Sequence, residues 1–484
     1  MTVSTAVPQD AQTRSQGIAL RRGLTMLGMT LLVPGSAQLV GGNERIGRFA
    51  LRVWLTLIAL AVVFVVLLLT VRSFAIGLYA NPITLQVLRF ATLALGVGWA
   101  FLFVNAWRIA NPRAMSPTGK VVVPAVAFVL AFAVAIGSWT LAGFFDTQSR
   151  LFGNVFGGGG KAETSSGRYN VLLLGGDAGA DRDGLRPDTM IVASIDADTG
   201  RTVLFSLPRN MQWAPFPDSS PLKKLYPNGY WCKDQSCLLN AVYTLGMNHK
   251  NLYPGVKDPG VQASKEVIGN ILGLEINYYA LVDLKGFEAL VDAVGGITLD
   301  VARKVPIGGG TDLRTGRKYP IKGYIGPGKN LKLDGYKALW FARSREGSTD
   351  YERMARQKCV LNAMVKQLDP LTVLTKFNEI AKAGEEIVST DLPTNQLGTM
   401  LDLATKGRSL PLSSVNFAPP LILPVKPDFA KIRQVVVDKI KASESAGEGK
   451  PKTSQPTASS SPKPSSTPSS KTQNDDLDAV CTVN

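Results

Sequence analysis

The sequence predicts an α/β layered domain set behind an all-α membrane region, and three observations carry that reading. Uncharged apolar runs crowd the first 145 residues, strand-like and helix-like patterns alternate from about 168 to 440, and a glycine-rich stretch parts the two halves. The 484 residues are 45% hydrophobic, too many for one simple soluble domain. A net charge of +16, from 53 Lys and Arg against 37 Asp and Glu, suits nucleic acid, anionic lipid or an acidic polymer as partner. The single histidine, His249, argues against histidine triads and multi-histidine metal sites, and the four cysteines lack zinc-ligand spacing. A hard, oxygen-ligated cation such as Mg²⁺ stays compatible with the composition.

The membrane half comes first. Residues 1–22 are polar, with Arg14, Arg21 and Arg22, and read as a short disordered cytoplasmic start rather than a cleavable signal. Apolar runs at 53–71, 90–107 and 121–145 are each long enough to cross a hydrocarbon core. The run at 23–43 is interrupted by Pro34, Gly35, Gly41 and Gly42, so a re-entrant segment competes there with a fourth span. Arg45, Arg48 and Arg52 precede the first firm span, and Arg108, Arg113 and Lys120 precede the third. The positive-inside tendency then puts 44–52 and 108–120 in the cytoplasm and everything after 145 outside. No firm span carries a charge at its middle, so the region reads as an anchor and not as a transport path.

Residues 146–167 end in a flexible glycine spacer, after which the α/β domain is expected over 168–440. Its first stretch, RYNVLLLGGD through SLPRN, reads as strands near 169–174, 189–195 and 202–207. Asp177 follows the first strand, Arg186 and Asp188 precede the second, and the DADTG turn folds Arg209 back beside Asp188. Two carboxylates at about 4 Å repel by about 4 kcal/mol at an effective dielectric of about 20, so such a pair implies a cation. Arginines beside it suggest a phosphate ligand as well. Further on, NYYALVD (277–283) reads as a strand, Asp283 caps a helix with apolar Phe287, Leu290, Val291 and Val294, and Gly295 and Gly296 stop it before ITLDV. Another helix is expected over about 260–272.

The second chemical stretch is 331–368. A helix over about 335–342 leads to Arg343 and Arg345, which alternate around Ser344 and so can point the same way. A new helix starts after Ser348 and Thr349, with Asp350, Arg353 and Gln357 on one polar stripe and Met354, Leu361, Val365 and Leu368 on an apolar one. A solvated face with intrahelical Asp–Arg pairs is the plain alternative. Arg186, Arg209, Arg343 and Arg345 together exceed what two aspartates neutralise, and a diphosphate would restore the balance. The cysteines favour two disulfides, Cys232 with Cys237 and Cys359 with Cys481, against a buried reduced Cys359 and an incidental Cys481. Residues 441–484 are rich in Ser, Pro, Thr and Lys, are expected to be disordered, and end near Cys481.

Taken in order and spacing, GGD ending at Asp177, RPDTM from Arg186, SLPRN around Arg209 and FARSREGSTDYERMARQ ending at Gln357 resemble the signature blocks of the LytR-CpsA-Psr family. LNAVYTLG (239–246) and LVDAVGGITLDV (290–301) also look like family blocks. The resemblance implies an extracellular α/β/α sandwich around a mixed β-sheet. It also implies transfer of a glycan 1-phosphate from a polyprenyl diphosphate carrier to peptidoglycan, leaving the lipid monophosphate. Asp177 and Asp188 match positions that ligate Mg²⁺ (or Mn²⁺). Arg186, Arg209, Arg343 and Arg345 match diphosphate contacts, and Asp350, Arg353 and Gln357 match the polar stripe beside them. Asp350 is the favoured general base, since a metal-bound Asp177 is a poorer one. Asn210 stands where an acidic residue is common and Pro187 where Ser is common, and several spans replace the usual single anchor. Rival readings are a polyprenyl diphosphate phosphatase, a non-catalytic lipid-linked glycan carrier, and a membrane-bound nucleic-acid regulator, which the expected topology disfavours.

Overall fold

The computed structural model describes residues 9–156, 164–177, 186–310, 316–367 and 388–446, with Lys376 and Cys481; for Asp177 only the backbone is described. The chain divides into two compact units, 1–153 and 154–484.

The first unit holds α1 (Gln9–Leu32), α2 (Ser36–Val40), α3 (Glu44–Thr70), α4 (Arg72–Ala80), α5 (Pro82–Ile109) and α6 (Pro117–Val155). Among them α3, α5 and α6 are long and apolar enough to cross a membrane. The interrupted run at 23–43 is a helix, a break at Pro34 and Gly35, and the short α2. Two expectations are corrected here. Residues 9–22 are helical, because α1 continues backwards as Ala19 and Leu20 pack on a core containing Met26, Phe103 and Met115. Residues 146–155 are also helical, since nothing breaks α6 before the glycine run begins at Gly157. Asp146 on α6 pairs with Arg89 on α5 and with Arg150 one turn on.

In the second unit β1 (Arg168–Asp177), β2 (Arg186–Asp196), β3 (Thr202–Leu207), β4 (Tyr278–Val282), β9 (Val388–Thr390) and β10 (Ser413–Asn416) form a mixed sheet in the order β10-β3-β2-β1-β4-β9. The β1–β2–β3 meander is antiparallel, whereas β4 joins β1 and β10 joins β3 in parallel. Asp196 fixes the β2–β3 turn by accepting from Thr199 N at 2.8 Å and Thr199 Oγ1 at 2.6 Å. Gly200, at φ 74°, closes the turn where a Cβ would meet Leu403 O at 2.4 Å.

Alternation along these strands separates two cores. Leu172, Leu174, Val192 and Phe205 face one side and are buried with α7 (Val242–Asn248), α8 (Pro259–Leu272) and α13 (Phe429–Ser445). Leu173, Ile191 and Ala280, aligned across β2, β1 and β4, face the other side. There lie α9 (Leu284–Ala293), α10 (Gly335–Arg343) and α11 (Asp350–Gln367), braced by the two-stranded pairs β5 (Ile297–Val301) with β8 (Gly328–Leu333) and β6 (Val305–Gly308) with β7 (Ile321–Ile325). The unit is thus an α/β/α sandwich. Aspartates cap the helices as their sequences demand, Asp258 for α8, Asp283 for α9, Asp334 for α10 and Asp428 for α13. Helix α12 (Leu397–Gly407) leads to β10, and α13 runs past the expected domain limit at 440. Most of the expected disordered tail, 447–480 and 482–484, lies outside the described residues.

Candidate functional site

The C-terminal ends of β1 and β3 and the start of β2 meet at one edge of the sheet, and α11 opens beside them. Thr349 and Glu352 begin that helix as a capping box: Glu352 Oε2 accepts from Thr349 N at 2.7 Å, and Thr349 Oγ1 accepts from Glu352 N at 3.3 Å. Arg303 pairs with Glu352 at 2.7 Å; its hydrogen bond, joined by that from Thr349 N, lowers the Glu352 pKa to about 2. Arg356, one turn along, donates to Phe341 O at 2.7 Å and to Ser344 O, tying the end of α10 to α11. The sequence reading missed this brace; its signal was a second arginine in the ERMARQ block.

So fixed, α11 presents Asp350 and Arg353 to β2 and β3. Asp188 accepts from Arg209 Nη1 at 2.7 Å on Oδ1 and from Arg345 Nη2 at 2.6 Å on Oδ2, with Arg353 Nη1 at 3.9 Å. Asp350 Oδ1 stands 2.9 Å from Arg353 Nη2, 3.7 Å from Arg345 Nε and 3.8 Å from Arg209 Nε. Three guanidiniums therefore surround two carboxylates. Burial pushes the Asp188 pKa up, but Arg209, Arg345 and Arg353 outweigh it and hold the carboxyl below its ordinary value. Burial lowers the Arg345 pKa, and the repulsion of Arg353 and Arg209 adds to it against the pull of Asp188. Arg353 is only 2% exposed, which rules out a solvated helix face. Its Nε and Nη2, and Asp350 Oδ1, are buried without a hydrogen-bond partner, so the 2.9 Å contact between them is an ion pair off the hydrogen-bond line.

Arg353 borders a cavity of about 530 Å³ between the sheet and the α9–α11 layer. Its walls are apolar, with Leu173, Ile191, Phe287, Leu290, Leu361 and Met364, and its rim is polar, with Asp188, Arg343, Arg345, Arg353 and Gln357. Such a shape takes a ligand with a greasy tail and an anionic head.

The expected residues divide. Asp188, Arg209, Arg345, Asp350 and Arg353 converge, and Gln357 and Arg343 line the cavity. The Arg343 guanidinium lies over the Trp340 ring at 5.2 Å. Arg186 is exposed at the start of β2, across from Asp177, and is not among the cavity-lining residues. The Asp177 side chain lies outside what is described, and the expected Asp177–Asp188 pair with it; among described residues Asp188 and Asp350 share Arg209, Arg345 and Arg353. No group of three His, Cys, Asp or Glu converges as a metal site among the described residues. Cys232 joins Cys237, and Cys359 joins Cys481.

The family model described as the LytR_cpsA_psr family matches residues 152–419. A relative from Oceanobacillus iheyensis, the polyisoprenyl-teichoic acid–peptidoglycan teichoic acid transferase TagU, is 30% identical over 236 residues, which are 48% of this chain and 61% of that protein. The TagU of Bacillus anthracis is 25% identical over 243 residues, 50% of this chain and 66% of its own. This chain thus spans less than two thirds of either relative. Among solved structures, TagV of B. subtilis is 23% identical, with 57% of this chain and 99% of that one covered at a TM-score of 0.38.

Proposed function

Since the chain belongs to the LytR_cpsA_psr family, we propose that it is a cell-wall glycopolymer ligase. In this reading it moves a glycan 1-phosphate from a polyprenyl diphosphate to a hydroxyl of peptidoglycan. The observation that carries the reading is Arg353: a buried guanidinium ion-paired to Asp350, at the polar rim of an apolar cavity, beside Arg345 and Arg209, so that three guanidiniums face two carboxylates. Surplus positive charge in a partly buried cluster is costly, and an anionic headgroup relieves it. The TagU relatives, named polyisoprenyl-teichoic acid–peptidoglycan teichoic acid transferases, support the same donor and acceptor class. The basic segments at 44–52 and 108–120 favour placing the second unit outside the membrane.

In the proposed reaction the isoprenoid chain occupies the cavity and the diphosphate meets Arg345, Arg353, Arg209 and Arg343 at its rim. The acceptor oxygen bonds to the glycan-bearing phosphorus as the bond to the bridging oxygen breaks, and polyprenyl monophosphate leaves. Asp350, whose Oδ1 lacks a hydrogen-bond partner, takes the acceptor proton. The arginines hold the diphosphate in line and neutralise charge gathering on the departing phosphate, so positioning and electrostatics supply most of the acceleration. The donor set suits Mg²⁺, which needs one or two carboxylates beside phosphate oxygens and water; Asp188 and Asp177 would hold it. When bound, the ion would add charge neutralisation at the diphosphate.

The test uses the full chain in detergent with a polyprenyl diphosphate-linked glycan and peptidoglycan. Expected are glycopolymer joined to the wall, equimolar lipid monophosphate, loss with a chelator and recovery with Mg²⁺ or Mn²⁺. Inorganic phosphate released without acceptor would make it a phosphatase; no turnover alongside tight donor binding would make it a carrier.

A further inference from the structure

Outside the arginine cluster, two exposed indoles stand out. Trp213 and Trp231 stack with ring centroids 4.8 Å apart and planes 13° from parallel, while remaining 37% and 41% exposed. Their chain neighbours Met211, Ala214 and Tyr230 are buried in the core beneath, with Cys232 packed on it. Trp213 takes φ 58°, a left-handed conformation that a bulky side chain rarely adopts. The surroundings enforce it. Tyr230 N–H donates to Ala214 O at 2.8 Å and Leu239 N–H to Met211 O at 2.9 Å. Gly229, at φ 97°, passes so close that a Cβ there would lie 2.7 Å from Trp213 O. The Cys232–Cys237 bridge closes the loop after Trp231. Two indoles needing only shelter would sink into the core, whereas this pair is held in water on a constrained backbone, which is how preorganised ligand platforms are built.

Position selects the ligand. The anchors of the pair belong to the core on one face of the central sheet, and the apolar cavity opens on the other. Asp188 and Arg209 stand at the sheet edge common to both faces. Trp213 follows Arg209 by four residues, a reach of at most about 14 Å. In an in-line phosphoryl transfer the acceptor enters opposite the leaving group; with the lipid on the cavity face, it enters from the indole face. Sugar rings present slightly positive C–H faces that stack on the negative face of an indole. We propose that Trp213 and Trp231 form the acceptor subsite, stacking a sugar ring of the peptidoglycan strand whose hydroxyl receives the glycan 1-phosphate. The proposal rests on the ligase reading for its role, while the binding itself is measurable without turnover.

Soluble peptidoglycan glycan strands are titrated into the full chain and tryptophan fluorescence is followed. A saturable change is expected, lost in Trp213→Ala/Trp231→Ala. In ligation, Trp231→Ala raises the acceptor KM at least tenfold with kcat and donor KM within twofold, and Trp231→Phe recovers part of the affinity. An unchanged acceptor KM in a variant that melts like the parent overturns the proposal, as does a rise confined to the donor KM, which would assign the platform to the donor glycan. Strand binding by the parent without any ligation would sink the ligase reading and leave the platform standing. Should Trp231→Ala not fold, the parent titration decides: no fluorescence change at saturating strand overturns the subsite.

Discussion

Arg345 reaches back across 157 residues of chain to hold Asp188 Oδ2 at 2.6 Å, and so locks the segment after α10 to the start of β2. With Arg209 on the other oxygen, Asp188 orients two guanidiniums toward the cavity rim. Their work is electrostatic, and removing one such group from a transition-state clamp typically costs about 10²–10³ in rate. Arg345→Ala and Arg209→Ala are each expected to lower kcat/KM by about that factor while the fold survives, both side chains being partly exposed. Arg209→Lys should recover only part, because an ammonium cannot fork between a carboxylate and a phosphate. Steady-state kinetics with a melting curve for each variant checks this.

Glu352 links the site to pH. Its folded pKa, held at about 2 by the Arg303 hydrogen bond and Thr349 N–H, lies below the unfolded value of about 4.3. A depressed carboxyl contributes stability that is fully present above the unfolded value and is lost as pH falls through the folded one. The start of α11 should therefore loosen between about pH 4 and 2. Because Glu352 is 43% exposed, solvent screens the pair and the effect is modest. Glu352→Gln is expected to flatten this part of the pH–stability profile, and Thr349→Ala to cost about 1 kcal/mol at neutral pH. Denaturant melts from pH 2 to 7 measure both.

The extent of the sequence's legibility follows from what is local. The β1–β3 meander and the approach of Arg209 to Asp188 could be read because β-branched runs and a DADTG turn set them within forty residues. The stripe of Asp350, Arg353 and Gln357 could be read from helical spacing. Its burial could not, since only the packing of α11 against β2 takes Arg353 to 2% exposure. Alternation around Ser344 suggested a shared direction for Arg343 and Arg345, and both line the cavity, but spacing alone could not place the Arg343 guanidinium over the Trp340 ring. Residues 9–22 looked disordered by polarity, and α1 gains its order from contacts with residues 80 or more positions away.

The Cys359–Cys481 bridge joins positions 122 residues apart. In the chain-entropy account, closing a loop that long is worth about 5 kcal/mol, more than the short Cys232–Cys237 loop can contribute. Cys481→Ser is expected to lower the melting temperature by several degrees, and dithiothreitol, which opens both bridges, should lower the parent at least as far. Because Cys359 sits on α11 beyond Gln357, the loss should appear in stability before it appears in kcat. A calorimetric scan of parent and variant, each with and without reductant, separates the two bridges.

The cavity carries the last prediction. Leu361, on α11, and Ala280, on β4, face it from opposite walls. A larger side chain at either place intrudes on space reserved for the isoprenoid, not on the diphosphate clamp at the rim. Ala280→Phe or Leu361→Trp should therefore raise KM for a long-chain polyprenyl donor by about tenfold or more, in line with about 1–3 kcal/mol for overpacking. A donor truncated to one or two isoprene units should be used equally well by parent and variants, because its tail never reaches the blocked region. The comparison is internal: a variant that merely misfolds loses both donors, whereas a blocked cavity discriminates by chain length. Equal loss with long and short donors, in protein that melts like the parent, would remove the cavity from the proposed mechanism and leave the arginine rim to bind its phosphate without a lipid.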